Sequence, residues 1–211
     1  MKYLFLFLSL CLLSGCAFTD INVMPGSSSI NSNITGGDQR EIVVVSPFSD
    51  DRKIKNRCGM KKNGYNMDTA DAICTVSPAS KLADLLVDEL GKAGFKVKTQ
   101  GEAQSQSGVK INGSLIQFFV EPVIGFAMGA LETDIHIRLV ATSQNGLHAE
   151  RSFFIKGTES AMVGSESNAQ KSIDSATAIV IKQMVTAIIS LFNKYPVLGE
   201  LHSIFIQQKA V

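Results

Sequence analysis

Thr133-Asp134-Ile135-His136-Ile137-Arg138-Leu139-Val140-Ala141-Thr142, followed by Ser143-Gln144-Asn145-Gly146, is the stretch on which the fold turns. Thr133, Ile135, Ile137, Leu139 and Ala141 alternate with Asp134, His136, Arg138, Val140 and Thr142, the period-2 pattern of a strand with one buried and one solvated face. Asn145-Gly146 predicts a tight hairpin, because both residues tolerate the positive φ that such turns demand. The return strand is expected from about Ala149 to Gly157 through Phe153 and Ile155. Upstream, residues 109–120 place Val109, Ile111 and Leu115 on one face, then Phe118 and Val120 on the other, so a bulge or a change of burial is expected near Ile116. Together the three strands form an antiparallel meander.

Working outward, two helices cover that sheet. Ser77 is a good N-cap with Pro78 at the first helical position, Leu82, Leu85, Leu86, Leu90 and Ala93 recur at helical spacing, and Gly94 closes the helix. Ser167 and Gln170 predict a capping box for a long second helix. Ile173, Ala176, Thr177, Val180, Met184, Ile188, Leu191 and Tyr195 trace one of its faces until Pro196 stops it. Its apolar part, residues 178–192, is interrupted by Lys182 and Gln183 and is too short to span a bilayer, so it reads as a core helix buried on most sides. Leu201, Ile204 and Phe205 are expected to dock a last short segment. Before the first helix, Ile42-Val43-Val44-Val45 reads as a strand buried on both faces, ended by Pro47. The expected architecture is α+β: a two-layer sandwich in the order β-α-β-β-β-α, a mostly antiparallel four-stranded sheet with two helices on one face.

The N-terminus has a different character. Lys2 precedes the apolar run Tyr3 to Leu13, about half the length a spanning helix needs, which reads as a signal segment. Leu13-Ser14-Gly15-Cys16 resembles the bacterial lipoprotein box, in which the cysteine sulfur takes a diacylglycerol, the chain is cut before it and the new amine is acylated. The competing reading is an ordinary signal peptide that leaves a free cysteine. The expected organisation is a lipoprotein signal peptide at 1–15, a lipidated N-terminus at Cys16 with a flexible tether to residue 40, and a single periplasmic domain at 41–211. Gly26-Ser27-Ser28-Ser29 and Gly36-Gly37 support the tether, whose reach would be roughly 25–30 Å; Ile21-Asn22-Val23-Met24 is the one part with an alternative reading, a short edge strand. Ala17 after Cys16, where proteins with this box that stay in the inner membrane carry Asp, points to the outer membrane. Removal of Lys2 leaves the 20 basic and 19 acidic side chains of the chain balanced, so nothing global recruits nucleic acid.

From about Ser80 to Gln207 the chain resembles the YajG-type outer-membrane lipoprotein family of Gram-negative bacteria. The resemblance is carried by the leucine-rich helix, Leu115-Ile116-Gln117, the Ala141-Thr142-Ser143-Gln144-Asn145-Gly146 hairpin, Ser167-Asn168 and Ile204 to Gln207, with Asp50-x-Arg52 matching the turn after the first strand. It implies location and fold and brings no catalytic residues. The insert holding Cys58 and Cys74, and the apolar stretch Val123 to Gly129, depart from the family pattern.

No motif points to catalysis, a cofactor or a metal. His136, His148 and His202 are scattered outside any zinc-binding spacing, and there is no Gly-x-Ser-x-Gly or Walker loop. Glu121 and Glu132 could be imagined as a glycosidase carboxylate pair, but a chain with no Trp and three Tyr is a poor sugar-stacking scaffold. In an oxidising compartment Cys58 and Cys74, the even pair left after Cys11 and Cys16 are accounted for, are expected to form a disulfide, the alternative being two buried thiols. Arg52, Lys53, Lys55, Arg57, Lys61 and Lys62 set a basic loop against Asp50 and Asp51, a candidate contact for lipid head groups or an acidic partner, or simply a solvated loop. Val123, Ile124, Phe126, Met128 and Leu131, broken by Pro122, Gly125 and Gly129, are expected to be an exposed apolar loop and partner-binding site, the alternative being a segment that folds back over the core or extends a buried strand. Two functions follow: a non-catalytic accessory lipoprotein docking on an envelope protein assembly, or a lipoprotein carrying a lipid or cell-wall fragment.

Overall fold

The computed structural model describes residues 18–27, 30, 32–99, 108–124, 129–143, 146, 148–160 and 165–195. Among the described residues nine strands and two helices follow one another as β1 (Ile21–Val23), β2 (Glu41–Val44), β3 (Ser49–Asp50), β4 (Gly59–Lys62), β5 (Asp68–Cys74), α1 (Pro78–Lys92), β6 (Lys96–Thr99), β7 (Val109–Ile124), β8 (Gly129–Thr142), β9 (His148–Ser160) and α2 (Glu166–Lys194). The expected Glu200–Gln207 segment lies outside the described residues.

The meander is present. β7 and β8 pair antiparallel from Lys110↔Thr142 to Ile124↔Gly129, and β8 and β9 from Ala130↔Ser160 to Thr142↔His148. The register shifts between Leu115 and Gln117, so Leu115 and Phe118 can both be buried. That is the bulge expected at Ile116.

The rest of the sheet corrects the four-stranded, mostly antiparallel expectation. The free edge of β7 is taken up in succession by three parallel partners: β2 (Ile42↔Val109), β3 (Ser49↔Ser114) and β4 (Gly59↔Val120). β6 adds in parallel outside β2; β5 pairs antiparallel with β4, and β1 parallel with β5. The result is a mixed nine-stranded sheet. The segment between Pro47 and Ser77 reads as loop because β3 and β4, of two and four residues, are too short to display a period and β5 buries only Ala72 of its seven residues, whereas the buried Ile42-Val43-Val44 run displays its flanking by β6 and β7 directly. Gly113 within β7 leaves room for the Phe48 ring, which an added Cβ would meet at 2.5 Å.

Both helices pack on one face. α1 is capped by Ser77, whose Oγ accepts from the Ser80 amide, and buries Leu82, Leu86 and Leu90 completely. α2 starts two residues before the expected box: Ser165 is the cap, accepting from the Asn168 amide, and Gln170 is used elsewhere. By length and composition α2 could cross a membrane, yet its buried stripe, Ile173 through Ile188 to Phe192, lies on the sheet while Lys182, Gln183 and Thr186 are exposed. It is therefore half-buried rather than enclosed on most sides. The helix approaches β9 closely at Gly157, where Ser172 Oγ lies 2.8 Å from Thr133 Oγ1 and within 3.1 Å of the Leu131 and Gly157 carbonyls.

Residues 18–40 are not laid out as a free tether. Val23 and Ile30 are buried. The Met24 amide donates to Gln170 Oε1, and Gln170 Nε2 donates back to the Met24 carbonyl. Ser27 donates through both N and Oγ to the Asp174 carboxylate at 2.8 and 2.7 Å. The Ser32 amide donates to Glu89, Lys92 Nζ to the Ile30 carbonyl, and the Gly37 amide to the Ala93 carbonyl. The segment is a strap across both helices. Its small polar residues read as linker by composition, but here they serve as hydrogen-bonding partners for helix side chains.

Candidate functional site

The alternation of β8 decides which side chains can act. With Leu131, Thr133, Ile135, Ile137, Leu139 and Ala141 turned to the helices, Glu132, Asp134, His136, Arg138, Val140 and Thr142 form the opposite face, joined by Ser152, Phe154, Lys156 and Thr158 of β9. Among the described residues no element covers this face. His136 and Phe154 are cross-strand partners, and their rings stack with centroids 3.7 Å apart. Phe154 nonetheless remains 72% exposed. Lys156 pairs with Glu132 and, at 3.0 Å, with Asp134; these two carboxylates hold its ammonium well above the usual lysine range. Burial, reinforced by the Arg138 charge, pushes His136 down, so its neutral form dominates near neutral pH. A dent of about 300 Å³ beside the stack is lined by Gln117, Asp134, His136, Phe154 and Lys156. The charges here are mutually neutralised and the accessible feature is an aromatic ring on a flat sheet, an arrangement suited to docking.

At the end of the sheet where β4 turns into β5 a second set of apolar side chains is exposed: Phe18 (70%), Tyr65 (86%), Met67 (56%) and Val123 (41%). The turn itself is well held. Asn63 Oδ1 accepts from the amides of both Tyr65 and Met67, and the Met67 carbonyl accepts from the Asn63 amide. Lys62 Nζ bridges to Glu121 at 2.6 Å and ties the turn to β7.

The remaining candidate residues are dispersed. Val123 and Ile124 extend β7, opposite Ala130 and Gly129, and Leu131 is 3% exposed in the core, so the expected apolar loop is largely strand. Pro122 is accommodated in the long hairpin, whose pairing runs past it. Phe126 and Met128 lie outside the described residues, as does Cys16. The six basic residues do not form one cationic surface. Arg52 is 5% exposed, its guanidinium held by both Asp50 oxygens at 2.9 Å and donating to the Lys55 and Arg57 carbonyls. Burial opposes ionisation of Asp50, but Arg52 outweighs it and holds the carboxyl below its ordinary value. Arg57 pairs with Asp71 and lies over the Phe119 ring, Lys61 donates to the Thr19 carbonyl and Lys62 is paired. Lys53 and Lys55 are exposed. Cys58 and Cys74 are joined as a disulfide, Cα atoms 5.6 Å apart, clamping the start of β4 to the end of β5.

Sequence reasoning placed His136 on the polar face of its strand but missed its partner. Phe154 stands between Phe153 and Ile155, an aromatic out of phase with the buried positions, and that was the available signal. Tyr65 and Met67 carried no signal beyond the Asn63-Gly64 turn.

The described residues define an α+β class in which two helices cover one face of a large mixed sheet. No family model and no curated protein matches the chain. Among solved structures it is similar to a protein from Xanthomonas campestris carrying the DUF330 family model (TM-score 0.54, 15% identity, 83% of this chain and 99% of that one). A second, an uncharacterised protein, has a TM-score of 0.51 at 11% identity, covering 80% and 99%. A minor lipoprotein from Acinetobacter baumannii is more distant, with a TM-score of 0.38 and 6% identity over 72% and 89%. At these identities the likeness is one of fold, and it does not single out the YajG-type family.

Proposed function

We propose that this chain is a non-catalytic accessory lipoprotein, acylated at Cys16 in the outer membrane and facing the periplasm, which docks on an envelope protein assembly through the uncovered face of β7, β8 and β9. The observation that carries this reading is Phe154: a large aromatic ring, 72% exposed, on the face of the sheet opposite the one that carries both helices. An apolar ring pre-positioned by its stack on His136 loses little conformational freedom on binding. The lipoprotein box at residues 13–16 and Ala17 after it support the anchoring and the sorting. Lys53 and Lys55, both exposed, remain available for anionic contacts.

The test is photo-crosslinking from a probe at position 154 in intact envelopes, read together with Phe154→Ser. Recovery of one stoichiometric envelope protein from position 154, lost in Phe154→Ser at unchanged melting temperature, is the expected result. A probe at 154 that captures only lipid or nothing, while one on α2 captures a protein, would move the site. The ligand-carrier alternative has one specific observation behind it, an apolar groove between α2 and the strands lined by Ile111, Leu139, Phe153, Ile188 and Leu191. At about 240 Å³ it falls below the roughly 300–1,000 Å³ of ordinary ligand pockets. Native mass spectrometry of the protein extracted from envelopes discriminates, since a carrier retains its small molecule.

A further inference from the structure

The exposed apolar residues at the turn end of the sheet come from three separate parts of the chain, and strand direction explains why they meet. β1 runs parallel to β5, with Ile21 opposite Ala72, so tracing back from Ile21 leads towards the start of β5 and the turn. The Asp71 amide donates to Asp20 Oδ1 and Lys61 Nζ to the Thr19 carbonyl, which fixes residues 19 and 20 beside that hairpin. β4 runs parallel to β7, with Gly59 opposite Val120, so Lys62 and Val123 end at the same level. Phe18, Tyr65, Met67 and Val123 therefore share one end of the molecule, and they are four of the ten large hydrophobic side chains exposed among the described residues. Phe18 stands only two residues after Cys16, a step that spans at most about 7 Å.

We infer that this end is seated directly on a phospholipid bilayer, with Phe18, Tyr65, Met67 and Val123 entering the headgroup region and Lys61 and Lys62 at its polar rim. The inference rests on the acylation of Cys16. Given that anchor, residues 18–40 supply no slack, because they are strapped to α1 and α2. The turn must then lie at the membrane surface, where an amphipathic Tyr and a flexible Met next to lysines are the expected composition. Acyl chains supply the main hold, and the four side chains set orientation. β8, with 14 residues at about 3.3 Å each, then projects the far end of the sheet about 45 Å into the periplasm if it stands upright. Phe154 lies about 20 Å above the surface on that scale, clear of lipid and open to a protein.

The chain contains no Trp, so Tyr65→Trp provides a single fluorescent reporter. The full-length acylated protein is reconstituted into phosphatidylethanolamine–phosphatidylglycerol vesicles with and without acyl-brominated phosphatidylcholine, alongside Phe154→Trp as the reference and Met67→Trp as an independent reporter. Blue-shifted emission and bromine quenching at positions 65 and 67, at a depth of roughly 5–10 Å into the headgroup and upper acyl region, with water-like and unquenched emission at 154, is the expected outcome. Water-like, unquenched emission at both 65 and 67 in protein whose N-terminal peptide carries acyl chains by mass overturns the seating and leaves the anchor intact. A bare Cys16 in that peptide overturns the anchor, and the seating falls with it.

Discussion

Replacing Val23 with Ala tests whether residues 18–40 belong to the folded domain. Val23 is 1% exposed, its carbonyl accepts from the Thr75 amide at 2.9 Å, and it pairs in β1 opposite Cys74. The substitution leaves those backbone bonds in place and removes two buried methyl groups, at about 0.8 kcal/mol each, plus the cost of the small void left between strap and sheet. The sum is about 2 kcal/mol, which for a domain of this size lowers the melting temperature by roughly 4–8 °C. Urea and thermal unfolding, followed by far-ultraviolet circular dichroism on the Cys16→Ala chain with its disulfide intact, measure it. Asn22→Ala, one position away and exposed, is the control and should stay within about 0.5 kcal/mol. If Val23→Ala is indistinguishable from Asn22→Ala, the strap contributes nothing to the folded state, and a free tether is the correct description.

Gly157→Ala should cost about 2–3 kcal/mol, because its Cβ would lie 2.5 Å from the Ser172 carbonyl oxygen and 2.7 Å from the Ala176 nitrogen, backbone atoms of α2 that yield only if the helix moves; Thr158→Ala next to it should be near neutral in the same melts. Glu89 is 1% exposed; burial opposes its ionisation, but hydrogen bonds from Lys92 and the Ser32 amide outweigh it and hold the carboxyl below its ordinary 4.5. A depressed carboxylate adds stability above its unfolded value and loses it as pH falls through the folded one, so unfolding free energy should drop on acidification below about pH 4.5, and Glu89→Gln, less stable at neutral pH, should show a shallower acid limb.

How much was legible depends on the length of the pattern each element could display. Residues 133–142 repeat the two-residue period five times, and hairpin partners inherit that register, so the meander, its bulge at Ile116 and the identity of its buried face could be read directly. Leu82, Leu86 and Leu90 did the same for α1. β3 and β4, at four residues or fewer, had no room to repeat anything, and β5 buries only Ala72 of its seven, so the region around Cys58 and Cys74 read as loop although it supplies three sheet strands. For the candidate site, the polar face of β8 was visible but Phe154 was not paired with it, and the apolar segment from Val123 was placed in a loop because Pro122, Gly125 and Gly129 are poor strand formers. The long pairing of β7 with β8 overrides that propensity up to Ile124↔Gly129.

Local periodicity, capping residues and cysteine parity were enough to read an α+β chain with two amphipathic helices on one face of an antiparallel meander, and Cys58 paired with Cys74. Tertiary structure alone decided the rest. Ser27, Ser32 and Gly37 read as linker until Asp174, Glu89 and Ala93 come within hydrogen-bonding distance from helices more than 50 residues away. Phe18, Tyr65 and Val123 share one end of the sheet only because β1 runs parallel to β5 and β4 parallel to β7. Such contacts join residues far apart in the chain, and their free energy lies in pairing and burial, which leave no period in the residues that make them.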